Sequence, residues 1–464
     1  MDLFPYQQEC VNEIDWFLGR SLLAAEPGLG KTLMSLSWLM LHPEALPAVV
    51  VCPASVKFVW EREALNFFRM KSRVLEGMTP DDAMGKRSPL LIVNYDILTA
   101  WLPWLRKHRP KTIIIDECQY CANLRVRRNR KNQKIQRTWS VKKLCKGRPY
   151  VLALSGTPLM NKPIELFNIL NILCPGVFNS RREYIEEYCD PTWTPWGVKY
   201  TGATNTKQLH DLLIDTCMVR RRKVDVLKDL PEKLRSVVPV PLSDPSEYRR
   251  ASDDFLSWLR VQDPRRAKSA SRAEALTKVG YMLRLAARLK MDAVADWINV
   301  FLRGSDEKLV VFAVHKDVIA ELLERIKAKT VVIDGSVTGR ARERLVDQFQ
   351  NDGKTRVMIG NIQAAGTGIT LTAASTVLLI ELTGRPGDLV QAEDRCHRIG
   401  TRSTVWCHYM VAKGTIEERM CEIVQRKQRV LSSVLDGGPN DNDLDVYDEL
   451  LEELRREYGG RIRP

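Results

Sequence analysis

The stretch Ser21-Leu22-Leu23-Ala24-Ala25-Glu26-Pro27-Gly28-Leu29-Gly30-Lys31-Thr32 joins a short apolar run to a glycine-rich turn that ends in a lysine and a threonine. The apolar run has the length of a buried strand, and the chain after Lys31 has a helical pattern. In a glycine-rich turn, backbone N–H groups can surround phosphate oxygens, and the start of a helix adds the positive end of its dipole. The stretch therefore predicts an α/β fold with a phosphate-binding loop.

The residues of this loop have separate expected roles. We expect Gly28 and Gly30 to let the backbone approach the phosphates. Lys31 is then placed to reach the β- and γ-phosphates of a nucleotide, and Thr32 to coordinate Mg²⁺. The match to the P-loop pattern is incomplete, because Ala25 stands where the pattern has glycine. A glycine turn followed by an unrelated Lys-Thr pair is the structural alternative.

A second signal is the run Ile113-Ile114-Ile115-Asp116-Glu117, in which an apolar strand ends in two acids. The carboxyl ends of parallel strands form the ligand-binding edge of a doubly wound sheet. Asp116 can hold Mg²⁺ directly or through water, and Glu117 can orient and deprotonate an attacking water molecule. Two solvated acids at a strand end are the alternative, which the phosphate loop earlier in the same chain makes weaker.

A third signal is the segment from Gln391 to Gly400, which contains Arg395 and Arg398. On a helix, residues three apart share one face, so the pattern predicts two guanidinium groups side by side. Such a pair can stabilise charge on a transferring phosphoryl group. A solvated basic helix face is the alternative.

Short apolar runs alternate with helix-length amphipathic segments in two halves of the chain, which predicts two parallel sheets covered by helices on both faces. The predicted strands are 21–25, 48–52, 90–94, 112–115 and 150–154 in the first half, and 309–314, 330–333, 356–359, 376–380 and 405–411 in the second. The predicted helices of the second half are 317–327, 339–350 and 388–398. Pro191–Gly197 is predicted to be a loop with two tryptophans.

The composition of the chain favours a nucleic-acid-binding protein without a zinc site. The chain has 464 residues, with 71 Lys+Arg against 57 Asp+Glu, a net charge of +14 and a pI near 9.3. Such a basic balance is typical of nucleic-acid binders, although a generally basic protein is the alternative. The eleven cysteines are scattered, and the single CxxC at Cys118–Cys121 has no second ligand pair, which argues against zinc.

No apolar run approaches the ~20 residues of a membrane-spanning helix, and the longest, from Leu309 to Val314, is far shorter. The amino terminus has no basic segment followed by a signal-peptide core. We therefore expect no membrane association. The expected location is the cytoplasm of a bacterium or of a virus-infected host cell, or the nucleus in a eukaryote.

Together these motifs resemble those of superfamily 2 helicases, specifically the Snf-type (switch/sucrose non-fermenting) DNA translocases, from Leu3 to about residue 435. Further matching segments are Leu3–Gln7, similar to the adenine-reading motif; Val51–Ser55 and Val93–Asp96, similar to two DNA-contact motifs; Leu154–Pro158, similar to the coupling motif; Met218–Arg221 with Leu230-Pro231, similar to the exit from the first lobe and the linker; and Gly366–Leu371, similar to a motif that contacts both DNA and nucleotide. Gln119, Pro27 and Thr401 depart from the residues that are usual in the family.

The resemblance implies two RecA-like lobes with helical insertions. Lobe one would span 1–215, with a helical protrusion at about 160–215, and residues 216–300 would form a linker and a second protrusion. Lobe two would span 301–435 and carry Arg395 and Arg398 as arginine fingers, with an acidic tail at 436–464. The resemblance also implies ATP as the nucleotide, with Gln7 contacting the base and Gln391 contributing to nucleotide binding.

Double-stranded DNA is the expected partner. The segment from Arg125 to Arg148 contains eleven basic residues and no acid, and it follows the acid pair directly. Such a segment would neutralise backbone phosphates without selecting sequence, although a flexible charged loop is the alternative. The individual residues expected to contact DNA are Arg127, Arg128 and Arg130, and the resemblance adds Pro53, Ser55, Asn94, Gly366 and Thr367.

The sequence thus predicts an ATP-dependent duplex-DNA translocase that acts in repair, recombination or fork remodelling. Two alternatives remain open at this point. One is a helicase that separates strands of DNA or RNA, and the other is a nucleotide-gated DNA clamp without significant turnover. The acidic tail is a candidate docking segment for a protein partner, with packing on lobe two as the alternative.

Overall fold

A computed structural model of the chain describes residues 3–80, 88–122, 127–128, 134–135, 137–160, 162–194, 197–200, 202–261, 269–337, 339–365, 368–436, 450 and 454. The chain forms two compact units. Unit 1 is built mainly from the residues up to Leu230, and residues 339–341 and 430–436 group with it. Unit 2 is built mainly from Pro231 to Arg429. Within the described ranges, no helix has the length and apolar character needed to cross a membrane.

Unit 1 contains eleven strands and nine helices within its described residues. The strands are β1 (Arg20–Ala25), β2 (Ala48–Cys52), β3 (Ser72–Val74), β4 (Leu90–Asn94), β5 (Thr112–Asp116), β6 (Arg127–Arg128), β7 (Lys134–Ile135), β8 (Tyr150–Leu154), β9 (Pro191–Thr194), β10 (Gly197–Tyr200) and β11 (Met218–Arg221). The helices are α1 (Pro5–Trp16), α2 (Lys31–Leu41), α3 (Lys57–Phe68), α4 (Tyr95–Lys107), α5 (Arg137–Cys145), α6 (Phe167–Leu173), α7 (Arg181–Tyr188), α8 (Thr206–Thr216) and α9 (Lys223–Val226).

Seven of these strands form one parallel sheet in the order β11-β1-β8-β5-β2-β4-β3. Successive side chains along a strand point to opposite faces, so each strand contributes residues to the apolar cluster on each face of the sheet. In β5, Ile113 and Ile115 enter one apolar cluster, while Ile114 enters the other. Because both faces are covered, these strands are apolar along their whole length, and their carboxyl ends meet at one edge of the sheet.

Unit 2 contains six strands and eight helices within its described residues. The strands are β12 (Lys233–Val240), β13 (Lys308–Ala313), β14 (Lys329–Ile333), β15 (Thr355–Asn361), β16 (Ala374–Leu379) and β17 (Val405–Ala412). The helices are α10 (Pro245–Val261), α11 (Ser269–Leu289), α12 (Met291–Gly304), α13 (Lys316–Arg325), α14 (Gly339–Asn351), α15 (Ile362–Ala365), α16 (Pro386–Glu393) and α17 (Ile416–Asp436). The strands form a parallel sheet in the order β12-β17-β16-β13-β15-β14, with an apolar cluster on each face.

The predicted fold class is confirmed, because the chain folds as two doubly wound parallel sheets with helices on both faces. All ten predicted strands are present, with ends that differ by at most two residues from those predicted. The helices predicted at 317–327 and 339–350 are present as α13 and α14.

The prediction of one helix over 388–398 is wrong in its second half, because α16 ends at Glu393. The Asp394 N–H still bonds to the carbonyl four residues back, but the N–H groups of Arg395 and Cys396 bond to carbonyls three residues back. The chain therefore tightens into turns after Glu393. As a consequence, Arg395 and Arg398 do not share a face of a regular helix.

Three strands of the two sheets were not predicted, namely β3, β11 and β12. The most consequential of them is β12, which lies inside the segment assigned to the linker and second protrusion. It is an edge strand with two charged residues, Lys233 and Arg235, in its first half and Pro239 near its end, so it has no long apolar run. The predicted loop around Trp193 instead contains a hairpin, because β9 pairs with β10.

Candidate nucleotide site and arginine segment

The phosphate-loop candidate connects β1 to α2 in unit 1, as predicted from the sequence. Gly28 and Gly30 have φ angles of +93° and +84°, in the region that favours glycine. At Gly30, an added Cβ atom would lie 2.6 Å from the Nε2 atom of Gln7. The backbone conformation therefore favours glycine at position 30, and any larger residue there would also displace the Gln7 amide.

Lys31 begins α2 and folds back over the loop. Its Nζ atom donates to the carbonyl oxygen of Ala25 at 2.7 Å and to that of Glu26 at 3.3 Å. The ammonium group thus lies at the carboxyl end of β1, where a loop-bound phosphate is expected. Thr32 follows it and is partly exposed at the start of the same helix.

Gln7 supports the loop from α1. Its Nε2 atom donates to the carbonyl oxygen of Leu29 at 3.1 Å, and its Oε1 atom accepts from the Phe4 N–H at 3.1 Å. The Tyr6 hydroxyl donates to the same Leu29 carbonyl at 3.1 Å. The structure therefore brings Gln7 to the phosphate loop, and its buried amide links that loop to the first turn of α1.

The acid pair lies at the carboxyl end of β5. Asp116 accepts a hydrogen bond from the indole N–H of Trp60 at 2.8 Å and another from the Glu117 N–H at 3.0 Å. Burial, and secondarily the charge of Glu117, raise the pKa of Asp116 to about 7, against the opposing effects of the Trp60 bond and the Lys31 charge. The two motifs are therefore close enough for Lys31 to act electrostatically on Asp116.

The residues at this edge suit a divalent cation. Asp116 offers a carboxylate in poorly hydrated surroundings, and a nearby cation would favour its ionised form. Thr32 offers a hydroxyl oxygen on the adjoining helix, and oxygen ligands are those that Mg²⁺ prefers. This chemistry fits the predicted metal ligands.

A chain of hydrogen bonds leads from Glu117 to the segment that follows β8. The Gln119 Nε2 atom donates to Glu117 Oε2 at 2.7 Å, and the Ser155 hydroxyl donates to Gln119 Oε1 at 2.7 Å. The Thr157 N–H then donates to the Ser155 hydroxyl oxygen at 3.0 Å. Gln119, which departs from the usual histidine, can serve both neighbours because its amide carries a donor and an acceptor.

The same segment passes directly beside the phosphate-loop candidate. A Cβ atom added at Gly156 would lie 2.6 Å from the side chain of Pro27. Pro27, another departure from the family pattern, therefore packs against the residue that joins Ser155 to Thr157. The phosphate loop, the acid pair and the segment after β8 thus form one continuous group within unit 1.

Three of the predicted DNA-contact residues of unit 1, Pro53, Ser55 and Asn94, lie at the same edge of the sheet. Pro53 follows β2, and Asn94 ends β4; both are buried, whereas Ser55 is partly exposed. Arg127 and Arg128 form β6, which pairs with β7, and their side chains are not described. Arg130, Gly366 and Thr367 lie outside the described residues.

Two described members of the basic run have partners inside unit 1. Arg137 pairs with Asp96 at 2.5 Å and lies over the ring of Tyr120. Lys142 donates to the side-chain oxygen of Asn171 at 3.1 Å. These two cations therefore help to hold α5 in place, a role that the charge pattern alone did not indicate.

In unit 2, the arginine segment, defined as residues 391–398, runs from the end of α16 into the turns that follow. Arg395 is buried, and its Nε atom donates to the carbonyl oxygen of Gln391 at 3.0 Å. Arg398 is partly exposed; its Nε atom donates to the carbonyl oxygen of Asp394 at 2.9 Å and its Nη1 atom to the Thr370 hydroxyl at 3.2 Å. The Gln391 side chain is buried in the same segment.

A buried ion network precedes these arginines. The Glu393 carboxylate is fully buried and accepts two bonds from Arg235, at 2.7 and 2.6 Å, and one from the Tyr409 hydroxyl at 2.5 Å. Lys233 lies 3.0 Å from Glu393 and 2.9 Å from Asp394. Burial alone would raise the pKa of Glu393, but Lys233 and Arg235 hold it below its usual value.

The sequence analysis missed Lys233 and Arg235. Alternating charged residues on a short segment are normally solvated, and no motif marks these two. Only the pairing of β12 with β17 places them over Glu393 and Asp394. The adjacent acids Glu393 and Asp394 beside two arginines were the one available signal in the sequence.

A candidate phosphate loop, an acid pair at the end of another strand of the same sheet and an arginine segment, carried on two RecA-like sheets, are the features of an ATPase of the helicase superfamily. The chain belongs to the SNF2-related family. The family model described as "SNF2-related domain" matches residues 6–275, and the model described as "Helicase conserved C-terminal domain" matches residues 290–400. The resemblance inferred from the motifs is confirmed.

Curated relatives share this core. The "SWI/SNF-related matrix-associated actin-dependent regulator of chromatin subfamily A-like protein 1 homolog" of Caenorhabditis elegans is 35% identical over 93% of this chain and 62% of its own length. The human "DNA annealing helicase and endonuclease ZRANB3" is 33% identical over 94% of this chain and 40% of its own length. A solved structure, "Sulfolobus solfataricus SWI2/SNF2 ATPase core in complex with dsDNA", is 22% identical, covers 98% of this chain and 97% of that chain, and gives a TM-score of 0.42.

Proposed function

We propose that this protein is an ATP-dependent translocase on duplex DNA, acting in repair, recombination or fork remodelling. The observation that carries the proposal is the hydrogen-bonded path from Glu117 through Gln119 to Ser155, beside the nucleotide loop. Such a path gives the acid that faces the attacking water a physical connection to a segment outside the nucleotide loop. A motor needs a connection of this kind, whereas a passive clamp does not.

In this proposal, unit 1 binds ATP. The phosphate loop with Gly28, Gly30 and Lys31 holds the phosphates, and Gln7 contacts the base. Thr32 and Asp116 hold Mg²⁺, which, when bound, neutralises charge on the β- and γ-phosphates. Glu117 orients and deprotonates the attacking water, and its carboxylate is fixed for that task by Gln119.

Unit 2 supplies the arginines. Arg395 and Arg398 act as arginine fingers on the transferring phosphoryl group, and Gln391 contributes to nucleotide binding. Arg398 is the stronger of the two candidates for direct contact, because it is partly exposed while Arg395 is buried. Arg395 is held by its own turn and fixes the backbone from which Arg398 projects.

Double-stranded DNA is the proposed track. The net charge of +14 supports binding to a polyanion, and the human relative is named a DNA annealing helicase. In this proposal, the protrusions at about 160–215 and within 216–300 grip the duplex, and 301–435 forms the lobe with the fingers. The acidic tail at 436–464 packs on unit 2 through Leu450 and Leu454, which are buried in its apolar cluster, and docks a protein partner through its remaining residues. In this proposal, the protein acts in the cytoplasm if it comes from a bacterium or a virus, and in the nucleus if it comes from a eukaryote.

The chain spans between 40% and 62% of the length of these two curated relatives. The activities that depend on the rest of those proteins are therefore not transferred. A strand-separating helicase is the second candidate function, because the human relative carries the word helicase in its name. Displacement of a triplex-forming strand without unwinding of a fork would favour translocation, and the reverse would favour strand separation.

The deciding experiment measures ATP hydrolysis without nucleic acid and with duplex DNA, single-stranded DNA or RNA, at two salt concentrations. We expect strong stimulation by duplex DNA that falls as salt rises. The Glu117→Gln variant serves as the control, because it should bind ATP but not turn it over. Stimulation by single strands or RNA alone would overturn the duplex translocase in favour of the helicase, and no turnover under any condition would favour the clamp.

A further inference from the structure

The start of unit 2 contacts the arginine segment at three positions, 231, 233 and 235. The carbonyl oxygen of Pro231 accepts from His397 Nε2 at 2.7 Å, and Lys233 pairs with Asp394 at 2.9 Å. Arg235 pairs with Glu393 at 2.6 Å. Lys233 and Arg235 face the same side of β12, because alternate side chains of a strand do so. Together with the Pro231 carbonyl just before the strand, they form a row of three contacts to the arginine segment.

One of the groups in this row is the Glu393 carboxylate, which is fully buried and therefore loses its hydration when the protein folds. A buried ion pair adds little net stability, since the loss of hydration offsets the attraction between the charges. Its directional bonds nevertheless fix one arrangement of the groups that they join. The two parallel bonds from Arg235 to Glu393, at 2.7 and 2.6 Å, give such a fixed arrangement. The network therefore has the character of an orienting device.

The part of the backbone that it orients is the part that carries the arginines. Asp394 is held from two sides, because its carboxylate binds Lys233 while its carbonyl oxygen accepts from Arg398 at 2.9 Å. The next carbonyl, that of Arg395, accepts from the Leu371 N–H at 2.8 Å. Residues 393–395 are thus fixed between β12 and the segment that includes Leu371.

We infer that Lys233, Arg235 and Glu393 are positioning residues, which hold the backbone of the arginine segment so that Arg398 meets the transferring phosphoryl group. The inference rests on the proposed function, since it requires Arg398 to act in ATP hydrolysis. It adds to that function a group of residues on a strand that carries none of the recognised motifs. Loss of the network should impair transition-state stabilisation while leaving nucleotide binding in place.

The test compares Arg235→Met with Lys290→Met. Lys290 forms an ion pair with a buried glutamate in the same unit, Glu417 at 2.6 Å, and donates to the carbonyl oxygen of Met410. The Lys290 side chain is fully buried and that of Arg235 is 41% exposed, so this control is the more severe test of folding. For Arg235→Met we expect kcat of the DNA-stimulated ATPase to fall by roughly tenfold to a hundredfold, with little change in KM for ATP, because a small misplacement of a catalytic group has an effect of this size. Lys290→Met should lower thermal stability but leave kcat near that of the unaltered protein.

A second readout does not depend on turnover. Binding of ADP with aluminium fluoride, which mimics the transferring phosphoryl group, is compared with binding of ADP alone. Arg235→Met should weaken the affinity for the mimic by roughly tenfold and leave the ADP affinity unchanged. Arg235→Lys should recover part of the loss, since it keeps the charge and loses the two-bond geometry. In addition, Arg235→Met and Glu393→Gln combined should be no worse than the more impaired single variant.

Unchanged kcat and unchanged affinity for the mimic in folded Arg235→Met or Arg235→Lys would overturn the inference. An equal loss of kcat in Lys290→Met would also overturn it, because the effect would then follow stability alone. If the unaltered protein binds the mimic but shows no stimulation by duplex DNA, the translocase proposal fails. In that case the mimic affinities of the variants still decide the positioning role.

Discussion

At the scale of single residues, the nucleotide loop depends most on Gly30. Its φ angle of +84° is one that other residues adopt at a cost of about 1–2 kcal/mol, and its added Cβ would meet Gln7 at 2.6 Å. We therefore predict that Gly30→Ala weakens ATP binding by tenfold or more, roughly the effect of that strain together with displacement of the Gln7 amide. Titration with a fluorescent ATP analogue measures the loss.

Gly77 offers a matched control in the same unit. It also has a positive φ, +71°, but an added Cβ there would have no atom within 4 Å. Gly77→Ala should lose about 1–2 kcal/mol of folding free energy from the backbone alone and should bind ATP normally. If Gly30→Ala binds ATP as well as Gly77→Ala does, the close approach of Gln7 to the loop has no role in nucleotide binding.

At the scale of elements, the ends of β5 and β8 are joined through Ser155. Its hydroxyl donates to Gln119 at 2.7 Å and accepts from the Thr157 N–H at 3.0 Å, and the residue is fully buried. Ser155→Ala removes both bonds, which join it to the partly exposed residues Gln119 and Thr157 and contribute roughly 0.5–1.5 kcal/mol each. We predict that DNA stimulation of the ATPase falls more than the basal rate does, as measured by steady-state hydrolysis with and without duplex.

A second buried serine provides the comparison. Ser21 lies in β1 of the same sheet, and its hydroxyl has no hydrogen-bond partner within the described part of the chain. Ser21→Ala should therefore be neutral or slightly stabilising and should keep full stimulation by DNA. Equal loss of stimulation in both variants would show that packing of the sheet, and not the path through Gln119, sets the response to DNA.

Among the elements of the fold, the buried strands could be predicted from the sequence, whereas the edge strand β12 and the end of α16 could not. The ten strands with continuous apolar runs were predictable, because burial on both faces leaves no other pattern. β12 was not, since an edge strand half exposed to solvent carries charges and a proline. The end of α16 was also missed. The turns after Glu393 lie where Arg235 of β12, more than 150 residues earlier in the chain, contacts Glu393, and no local pattern indicates that contact. Lys31, Asp116 and Glu117 were recognisable from local motifs, whereas Trp60 and Arg235 reach the site only through the fold.

At the scale of the whole molecule, hydrolysis is proposed to need residues of both units. Unit 1 contains the nucleotide loop and the acid pair, and unit 2 contains Arg398. We predict that Arg398→Ala binds ATP with nearly unchanged affinity and loses at least about a thousandfold in kcat, the scale known for arginine fingers. Nucleotide titration and steady-state hydrolysis measured on one preparation separate the two effects. Normal hydrolysis in this variant would remove Arg398 from the catalytic group.

The net charge of the whole chain should determine how strongly its affinity for DNA depends on salt. A protein of net charge +14 that neutralises six to ten phosphates should lose about 10³–10⁵ in duplex affinity between roughly 50 and 200 mM salt. Replacing Arg127, Arg128 and Arg130 by glutamine should reduce the slope of log affinity against log salt by roughly one for each DNA phosphate that is no longer neutralised.

The control replaces three exposed cations of unit 1 that no DNA motif includes, namely Lys71, Arg106 and Lys107. Because both variants have the same reduced net charge, a smaller slope in the first variant alone would locate the DNA-binding cations in the 125–148 run, whereas equal slopes would show that the run acts only through overall charge.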